Sequence, residues 1–294
     1  MNINKWIKEN TFDLTNKTIT ITGSTGGLLN EVVKILANLN ANLILINRNK
    51  EKTEKQIQQL KSLYPNITIE FIECDLSNFE SVKKATSILK QKAIDILFLG
   101  AGVYNVKKFK TETGYNNIFQ TNFVSHFYIV KELLPQLNSV NGKVVAVSSV
   151  AYNYSIINES NIDFSLHKKS SKVYGNSKRF LTFSLMELLK NENTTLSIVH
   201  PGVTLTEMTN HYPKAINWLV KIGIKLFFPK TEQSALSLVK GVFESTEYHE
   251  WIGPKIFNIW GKTKKQKIKK ITEEESKNIY IIAEEIYNNI KLKG

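Results

Sequence analysis

Residues 18–30 read TITITGSTGGLLN, in which a β-branched run leads into a glycine-rich turn and then into apolar residues. A strand, a glycine turn and a helix in this order are typical of a dinucleotide-binding unit. The glycines serve the tight turn, the approach of pyrophosphate and the packing of helix on strand. Gly23, Gly26 and Gly27 are present, so backbone amides can meet a phosphate at the start of the helix. Leu29 stands where the packing glycine is expected. The stretch therefore predicts a dinucleotide site that lacks its third glycine.

Further along the chain, apolar runs of strand length alternate with longer segments of helical period, which favours a parallel sheet with crossover helices. Strands are predicted at 18–22, 41–47, 67–73, 94–102, 142–149 and 194–202. Helices are predicted at about 28–39, 50–63, 79–90, 114–134, 172–190, 232–244 and 272–292. This order predicts an α/β fold with a single doubly wound parallel sheet (Rossmann-like), helices on both faces and ligands beyond the C-terminal strand ends. No linker or repeat divides residues 1–294, which we expect to form a single dinucleotide-binding domain.

The charge of the chain is strongly positive, with a net charge of +13. Almost all of the excess is lysine, because Arg48 and Arg179 are the only arginines. Nucleic-acid readers usually rely on the planar fork of arginine, so no nucleic-acid partner is expected. An anionic membrane surface stays open as a partner.

Cysteine usage and hydropathy indicate where the protein works. Cys74 is the only cysteine, which excludes a disulfide within the chain and favours a reducing compartment. The N-terminal segment lacks a signal-peptide pattern, and no apolar run reaches the length of a spanning helix. We expect a cytoplasmic protein, with peripheral membrane contact left open. No cluster of residues has metal-ligand spacing, so no metal is expected.

Tyr174 and Lys178 lie four residues apart on a predicted helix and therefore share one face. A tyrosine hydroxyl has an ordinary pKa near ~10, and a nearby ammonium favours the phenolate, which makes the tyrosine a usable acid–base group. The pattern Y-x-x-x-K also occurs at Tyr104 and Tyr287. Only Tyr174 follows a strand that ends in Ser-Ser and precedes a strand that ends in Pro-Gly.

With these motifs in this order, the sequence resembles a short-chain dehydrogenase/reductase, and within that superfamily the NADP-dependent retinol dehydrogenase-like branch. The resemblance covers residues from about 15 to 290. It rests on TGSTGG at 22–27, NR at 47–48, CDL at 74–76, GAG at 100–102, TNFVSHFYIVKELLP at 121–135, VSSVA at 147–151, YGNSK at 174–178 and HPGVTLTEM at 200–208.

The resemblance implies a set of catalytic roles. Tyr174 would donate the proton to the substrate oxygen, and Lys178 would bind the nicotinamide ribose and lower the pKa of Tyr174. Ser149 would hydrogen-bond the substrate carbonyl, with the adjacent Ser148 as the alternative. Asn122 would hold a water in the proton relay; the other interpretation is a solvated or kink-forming asparagine.

The resemblance also implies which residues bind the cofactor. Asp75 would touch the adenine, unless it is a helix N-cap. Pro201 and Gly202 would lie against the nicotinamide, with Val203 and Thr206 near its carboxamide. The full expected set is Gly23, Ser24, Gly26, Gly27, Leu28, Arg48, Asp75, Ala101, Gly102, Lys178, Pro201, Gly202, Val203 and Thr206.

The end of the second strand bears on which dinucleotide is bound. An acidic residue there bonds the ribose 2′-OH of NAD, whereas an arginine accommodates a 2′-phosphate. This chain has Asn47 followed by Arg48 and no carboxylate. The sequence therefore favours NADP(H) over NAD(H), with a solvated loop charge as the other interpretation of Arg48.

Two positions depart from the family pattern. Leu29 replaces the third glycine, and Gly100 replaces the asparagine that the family usually carries in an NAG segment. We expect weakened or slightly displaced cofactor binding, not its loss. The separation of 25 residues between Ser149 and Tyr174 is long for the family. The inserted residues are expected to form a flap beside the substrate, and the oligomeric state (monomer or dimer) stays open.

Residues 216–228, INWLVKIGIKLFF, lie in the region of about 203–230 that caps the substrate pocket in this family. Their apolar character indicates a lipophilic small-molecule substrate. The same residues, set among lysines, could instead contact a membrane or pack in the core.

The sequence thus predicts an oxidoreductase that transfers hydride between NADP(H) and a lipophilic carbonyl/alcohol pair. The cofactor carries the hydride, while the protein positions it and supplies the proton. Two alternative functions stay open: a catalytically weak dinucleotide-binding regulator or scaffold of the same fold, and a peripheral membrane or lipid-binding module. The sequence does not specify the physiological substrate or the direction of reaction.

Overall fold

One eight-stranded sheet runs through the computed structural model, which describes residues 2–154, 161, 170–202, 231–256, 258, 260–269 and 271–292. The strands are β1 Thr18–Thr22, β2 Asn42–Asn47, β3 Ile69–Glu73, β4 Ile96–Leu99, β5 Lys143–Val147, β6 Thr195–Val199, β7 Glu250–Ile256 and β8 Trp260–Lys267. Their order is β3-β2-β1-β4-β5-β6-β7-β8, parallel as far as β7, with β8 antiparallel to it. From β1 to β3 each strand is added toward one edge of the sheet, and from β4 onward each is added toward the other edge. In sheets of this kind ligands bind where the order changes, which here is between β1 and β4.

Helices cover both faces of the sheet and bury a separate apolar core on each face. They are α1 Ile3–Asn10, α2 Gly27–Asn38, α3 Lys50–Leu63, α4 Phe79–Leu89, α5 Asn117–Phe119, α6 Ser125–Ser139, α7 Ser170–Leu188, α8 Thr231–Phe243 and α9 Glu273–Leu292. One core gathers residues of α1, α2, α3 and α8, and the other gathers residues of α4, α6, α7 and α9. The predicted doubly wound α/β fold is therefore confirmed.

The sheet has two more strands than the six that the sequence predicts. β7 contains Gly253 and Pro254, and β8 reads WGKTKKQK, so neither shows the apolar alternation of a half-buried strand. The two strands pair with each other along the edge of the sheet, and Thr263 of β8 bonds Ser237 of α8 at 3.0 Å between hydroxyl oxygens. Backbone pairing, not side-chain burial, makes β8 a strand.

The long helix predicted for 114–134 is interrupted. A five-residue π turn, Gln120–Val124, separates α5 from α6. The predicted end near Pro135 is wrong, because α6 continues to Ser139. Pro135 lies on the exposed side of α6, where water can replace the hydrogen bond that proline cannot donate.

The two departures from the family pattern meet in space. A Cβ atom placed on Gly100 would lie 2.6 Å from Cδ1 and 2.9 Å from Cγ of Leu29, and 3.0 Å from the Thr22 carbonyl oxygen. The buried Leu29 side chain thus fills the volume that a side chain at position 100 would need. Leu29 and Gly100 are one complementary pair, in which the apolar side chain is supplied by α2 and the space by the end of β4.

This pairing predicts coupled stabilities. Gly100→Ala should destabilise the protein by about 1–3 kcal/mol through overpacking. It should cost less in a Leu29→Ala background, where the two closest clashing atoms, Cγ and Cδ1 of Leu29, are gone and only the Thr22 carbonyl oxygen stays near. The coupling expected from urea unfolding is about 1 kcal/mol or more. Leu36→Ala, which empties a buried position on the same helix, is the control background and should leave the cost of Gly100→Ala unchanged. Additive effects in the Leu29→Ala background would contradict the pairing.

Candidate active site

The glycine turn after β1 packs directly against the chain after β4. Gly23 has a φ of +77°, and a Cβ there would lie 2.7 Å from the Ala101 Cα, so both its backbone angle and its surroundings demand glycine. A Cβ on Gly27 would meet nothing within 4 Å. The turn is therefore tight on its inner side and open on its outer side.

The start of α2 is suited to an anion. Gly26 is the N-cap and makes no side-chain cap, and the first turn holds no acidic residue. Backbone N–H groups at such a terminus seek an acceptor from outside the helix. The Leu28 side chain is buried, so its contribution to a ligand would come from its backbone.

Ser24 is turned away from the outer side of the turn. Its hydroxyl donates to Gln56 Oε1 at 2.7 Å and accepts from Asn47 Nδ2 at 2.7 Å. The Gln56 amide in turn donates to the Ser24 carbonyl at 2.9 Å. The Ser24 side chain braces the turn against β2 and α3, and only its backbone can face a cofactor. The sequence pattern gave no sign of the part played by Gln56.

Arg48 and Asp75 lie together at the carboxyl ends of β2 and β3. Arg48 is exposed, and its Nη1 lies 3.9 Å from Asp75 Oδ2. Asp75 Oδ1 accepts from the backbone N–H and the hydroxyl of Ser77, at 2.9 Å and 2.7 Å. The N-cap of α4 is Asn78, so the alternative interpretation of Asp75 as the cap is wrong.

Asn122 links three elements through its side chain. Its Oδ1 accepts from the Val103 N–H at 2.7 Å, and its Nδ2 donates to the Val103 carbonyl at 2.9 Å and to Ser177 Oγ at 3.1 Å. The residue is fully buried, which excludes the solvated interpretation, although it does lie in the π turn. A Cβ on Gly102 would lie 3.5 Å from Asn122 Oδ1 and 3.6 Å from Lys178 Nζ. Gly102, Asn122 and Lys178 therefore converge.

Lys178 is buried in α7, and its ammonium donates to the Val147 carbonyl at 2.7 Å. Its Nζ lies 5.8 Å from the centroid of the Tyr174 ring. Burial lowers the pKa of Lys178 to about 8, because the charged form loses hydration. The lysine can therefore gain or lose a proton close to neutral pH.

Tyr174 lies on the same helix, with its ring edge-on to that of Tyr104 at 5.2 Å between centroids. Burial raises the pKa of Tyr174, and the Ser149 hydroxyl opposes that rise by hydrogen bonding. The expected lowering of the Tyr174 pKa by Lys178 is therefore wrong. The Lys178 ammonium is bound to the Val147 carbonyl, and loss of hydration dominates at the tyrosine.

The two adjacent serines have different partners. Ser148 is buried, and its Oγ lies 2.7 Å from Thr182 Oγ1. Ser149 is only partly buried and interacts with Tyr174. Its Oγ also accepts from the Ala151 N–H at 3.2 Å. The structure thus brings Ser149, and not Ser148, to Tyr174.

His126 is a core histidine, with no exposed surface. Its Nδ1 lies 3.1 Å from the Asn122 carbonyl oxygen, which can only accept, so Nδ1 carries the proton and donates. The unprotonated Nε2 then accepts from the Thr22 hydroxyl at 3.0 Å, and Thr22 Oγ1 itself accepts from the N–H groups of Gly100 and Ala101 at 3.0 and 3.1 Å. Burial lowers the pKa of His126 to about 4, which keeps it neutral. This series of hydrogen bonds connects the end of β4 to the π turn.

At the end of β6, Pro201 and Gly202 are partly buried, and Gly202 has a φ of +83°. Val203, Thr206 and the rest of 203–230 lie outside the described residues, as does most of the insert between Ser149 and Tyr174. Within the described ranges, no group of three His, Cys, Asp or Glu side chains could hold a metal ion. No helix among them is both long and apolar enough to cross a bilayer.

Two residues near Tyr174 were missed by sequence reasoning. Tyr104, which the sequence shows only as the start of another Y-x-x-x-K pattern, packs on Tyr174. The Ser177 hydroxyl accepts a hydrogen bond from the Asn122 side-chain amide and donates one to the Tyr174 carbonyl at 2.7 Å. The position of Tyr104 just beyond the carboxyl end of a central strand was the available signal.

Comparison with known proteins gives the same assignment. Residues 17–217 match the family described as short chain dehydrogenase. An uncharacterised oxidoreductase of Schizosaccharomyces pombe is 32% identical over 230 residues, covering 72% of this chain and 68% of that protein. Human polyprenol dehydrogenase is 29% identical over 218 residues (70% and 65%), and human retinol dehydrogenase 13 is 28% identical over 202 residues (66% and 61%). The chain spans about two thirds of the length of these relatives.

Solved structures share the fold at lower identity. A protein of Mycobacterium paratuberculosis superposes with a TM-score of 0.75 at 21% identity, covering 95% of this chain and 96% of that one. A short-chain dehydrogenase from Sphingobium yanoikuyae, solved in complex with NADPH, gives a TM-score of 0.56 at 20% identity, with coverage of 74% and 81%. The motifs, the sheet order and these matches show that the chain belongs to the short-chain dehydrogenase/reductase superfamily, with retinol dehydrogenases among its relatives.

Proposed function

We propose that this protein is an NADP(H)-dependent oxidoreductase that moves hydride between the nicotinamide and a lipophilic carbonyl/alcohol substrate. The observation that carries the proposal is the convergence of Ser149, Tyr174 and Lys178 beside Gly102 and Asn122, at the carboxyl edge of the sheet. An acid–base tyrosine with a hydroxyl and an ammonium beside it is the equipment that carbonyl reduction needs.

The glycine turn fits a nicotinamide dinucleotide. Gly27 opens outward and the uncapped start of α2 offers N–H groups to the pyrophosphate. Gly102 leaves room beside Lys178, where the nicotinamide ribose would be held. When bound, the dinucleotide supplies or accepts the hydride. Leu29 does not block this arrangement, because its side chain is directed at Gly100.

The chain's own residues manage the proton. Tyr174 donates its hydroxyl proton to the substrate oxygen as that oxygen gains negative charge, while Ser149 hydrogen-bonds the same oxygen. Lys178, whose pKa burial lowers to about 8, passes a proton toward Tyr174 near neutral pH. Asn122 keeps the chain after β4 and α7 in register around this path.

The first prediction from this proposed function concerns Tyr174→Phe. Removing the proton donor should lower the rate of NADPH oxidation by about 10²- to 10⁴-fold, while NADPH binding stays within a factor of about two, because the ring is retained. The assay uses a panel of aldehydes, ketones, retinoids and steroids. Tyr287→Phe, in the matching Y-x-x-x-K pattern of α9, is the control and should keep full activity.

Equal rates for wild type and Tyr174→Phe on every compound would overturn the enzyme proposal. If the protein then still bound NADPH, it would be a dinucleotide-binding regulator of the same fold.

The second prediction is a pH dependence. Reduction requires protonated Tyr174, so its rate should fall as pH rises through the pKa of that residue, while alcohol oxidation should rise. Ser149 lowers this pKa, so Ser149→Ala should move the alkaline limb of the reduction profile to higher pH. Rate profiles of the two proteins check the direction. A limb that stays in place, or moves to lower pH, would contradict the interaction of Ser149 with Tyr174.

The preference for NADP(H) rests on Arg48. Its guanidinium is exposed at the end of β2, held only at 3.9 Å by Asp75, and no carboxylate occupies that strand end. The short-chain dehydrogenase from Sphingobium yanoikuyae, which shares this fold, was solved in complex with NADPH. A 2′-phosphate would take two charge-assisted hydrogen bonds from the guanidinium fork.

The third prediction therefore concerns Arg48→Gln. The Kd for NADPH should rise by about tenfold or more, whereas the Kd for NADH should change by less than about threefold. Lys50→Gln, which removes a neighbouring exposed cation, is the control. Equal changes for both dinucleotides in Arg48→Gln, measured by isothermal titration, would contradict the assignment of Arg48 to the 2′-phosphate.

The substrate is proposed to be lipophilic because residues 216–228 are apolar and because relatives are named as dehydrogenases of polyprenol and retinol. In this proposal residues 203–230 form the lid of the pocket, and the chain works as one catalytic domain in the cytoplasm. Co-sedimentation with anionic liposomes distinguishes a lid from a membrane-contacting segment.

A further inference from the structure

Arg179 is a buried cation next to the catalytic pair. It is one of only two arginines in a chain with 39 basic residues, and it directly follows Lys178 on α7. Its side chain is only 6% exposed. Because a buried charge is costly unless it is paired and hydrogen-bonded, its partners determine what it does.

The guanidinium of Arg179 joins three parts of the fold. Its Nη1 donates to the Tyr152 carbonyl at 3.1 Å, and its Nη2 forms an ion pair with Glu275 at the start of α9. It also lies 5.6 Å from the centroid of the Phe183 ring, one turn further along α7. The fork therefore connects α7 both to α9 and to the chain beyond β5.

Tyr152 belongs to the 3₁₀ turn Val150–Tyr154, which begins one residue after Ser149. The Tyr152 N–H donates to the Ser149 carbonyl at 3.1 Å, and the Ala151 N–H donates to the Ser149 hydroxyl at 3.2 Å. A shift of the Tyr152 carbonyl would therefore move the Ser149 backbone and hydroxyl with it.

The Tyr152 side chain makes contacts of its own, separate from that of its carbonyl. Its ring packs edge-on against Phe183 and Trp251, each at 5.6 Å between centroids, and its hydroxyl donates to the Lys269 carbonyl at 3.1 Å. The ring holds the Tyr152 side chain against Phe183 of α7, and the contact of Arg179 with the Tyr152 carbonyl fixes the backbone of the turn to the same helix.

We propose that Arg179, held by Glu275, is a positioning residue that fixes the turn bearing Ser149 against the catalytic helix. The proposal rests on the function proposed above, in which Ser149 and Tyr174 act on one substrate oxygen. A planar fork bonds two partners that lie in different directions, which the single ammonium of a lysine cannot do with the same geometry.

The interaction between Ser149 and Tyr174 provides the readout. Among the residues that the structure describes, the groups that face Tyr174 are Ser149 from the chain after β5, Tyr104 from the chain after β4, and Lys178 from its own helix. Of these, Ser149 lowers the pKa of Tyr174. Displacement of Ser149 should therefore move the alkaline limb of carbonyl reduction to higher pH. A loss of folded protein alone would lower the rate without moving the limb.

The test uses two variants, Arg179→Lys and Glu275→Gln. The second is the milder change, because the Glu275 side chain is 34% exposed and the fold is expected to tolerate the loss of its charge. Hydrogen–deuterium exchange of the Val150–Tyr154 amides should accelerate by about tenfold in both variants, as expected for the loss of one charge-assisted hydrogen bond. The alkaline limb of NADPH-dependent reduction should shift in the same direction as in Ser149→Ala. Lys131→Met breaks another ion pair of α9, with Glu284 at 2.9 Å, and should change neither readout.

Unchanged exchange in both variants would overturn the proposal, and so would faster exchange with an unmoved alkaline limb. If Arg179→Lys does not fold, Glu275→Gln decides by the same criteria. If wild type reduces none of the carbonyl compounds, the proposed function fails, and exchange alone decides whether Arg179 holds the turn.

Discussion

The arrangement of the site depends on the buried amide of Asn122. An amide without exposure to water must make its hydrogen bonds inside the protein, since each missing one costs about 1–3 kcal/mol. Asn122 meets this requirement with both backbone groups of Val103 and with the hydroxyl of Ser177. The chain after β4 and helix α7 are thereby fixed to the π turn. Gly102 and Lys178, which belong to those two elements, come together as a result.

The main architecture could be predicted from the sequence because local patterns and the global fold agree. β-Branched apolar runs specify the six strands from β1 to β6, and the glycine turn between β1 and α2 identifies the nucleotide end of the sheet. The helix that carries Tyr174 and Lys178 was predicted to within two residues at each end. These features are encoded within short segments, so periodicity is enough to find them.

The features that escaped prediction depend on contacts between distant segments. Leu29 and Gly100 look like two defects when each is compared with a motif, but in space they are complementary. Ser24 looks like a phosphate contact, but Gln56, more than thirty positions along the chain, turns it inward. The pKa of Tyr174 rises because of burial, which no spacing of residues reveals.

The lysine-rich strand β8 has a consequence for the protein in a crowded cell. It is the last strand of the sheet, and an edge strand with open N–H and C=O groups can recruit a strand from another molecule. Lys262, Lys264, Lys265 and Lys267 are all exposed along it. A strand that added to this edge would have to strip water from closely spaced ammonium groups of like charge. The lysine-rich composition that gives β8 no recognisable strand pattern therefore also disfavours the addition of strands from other molecules at this edge.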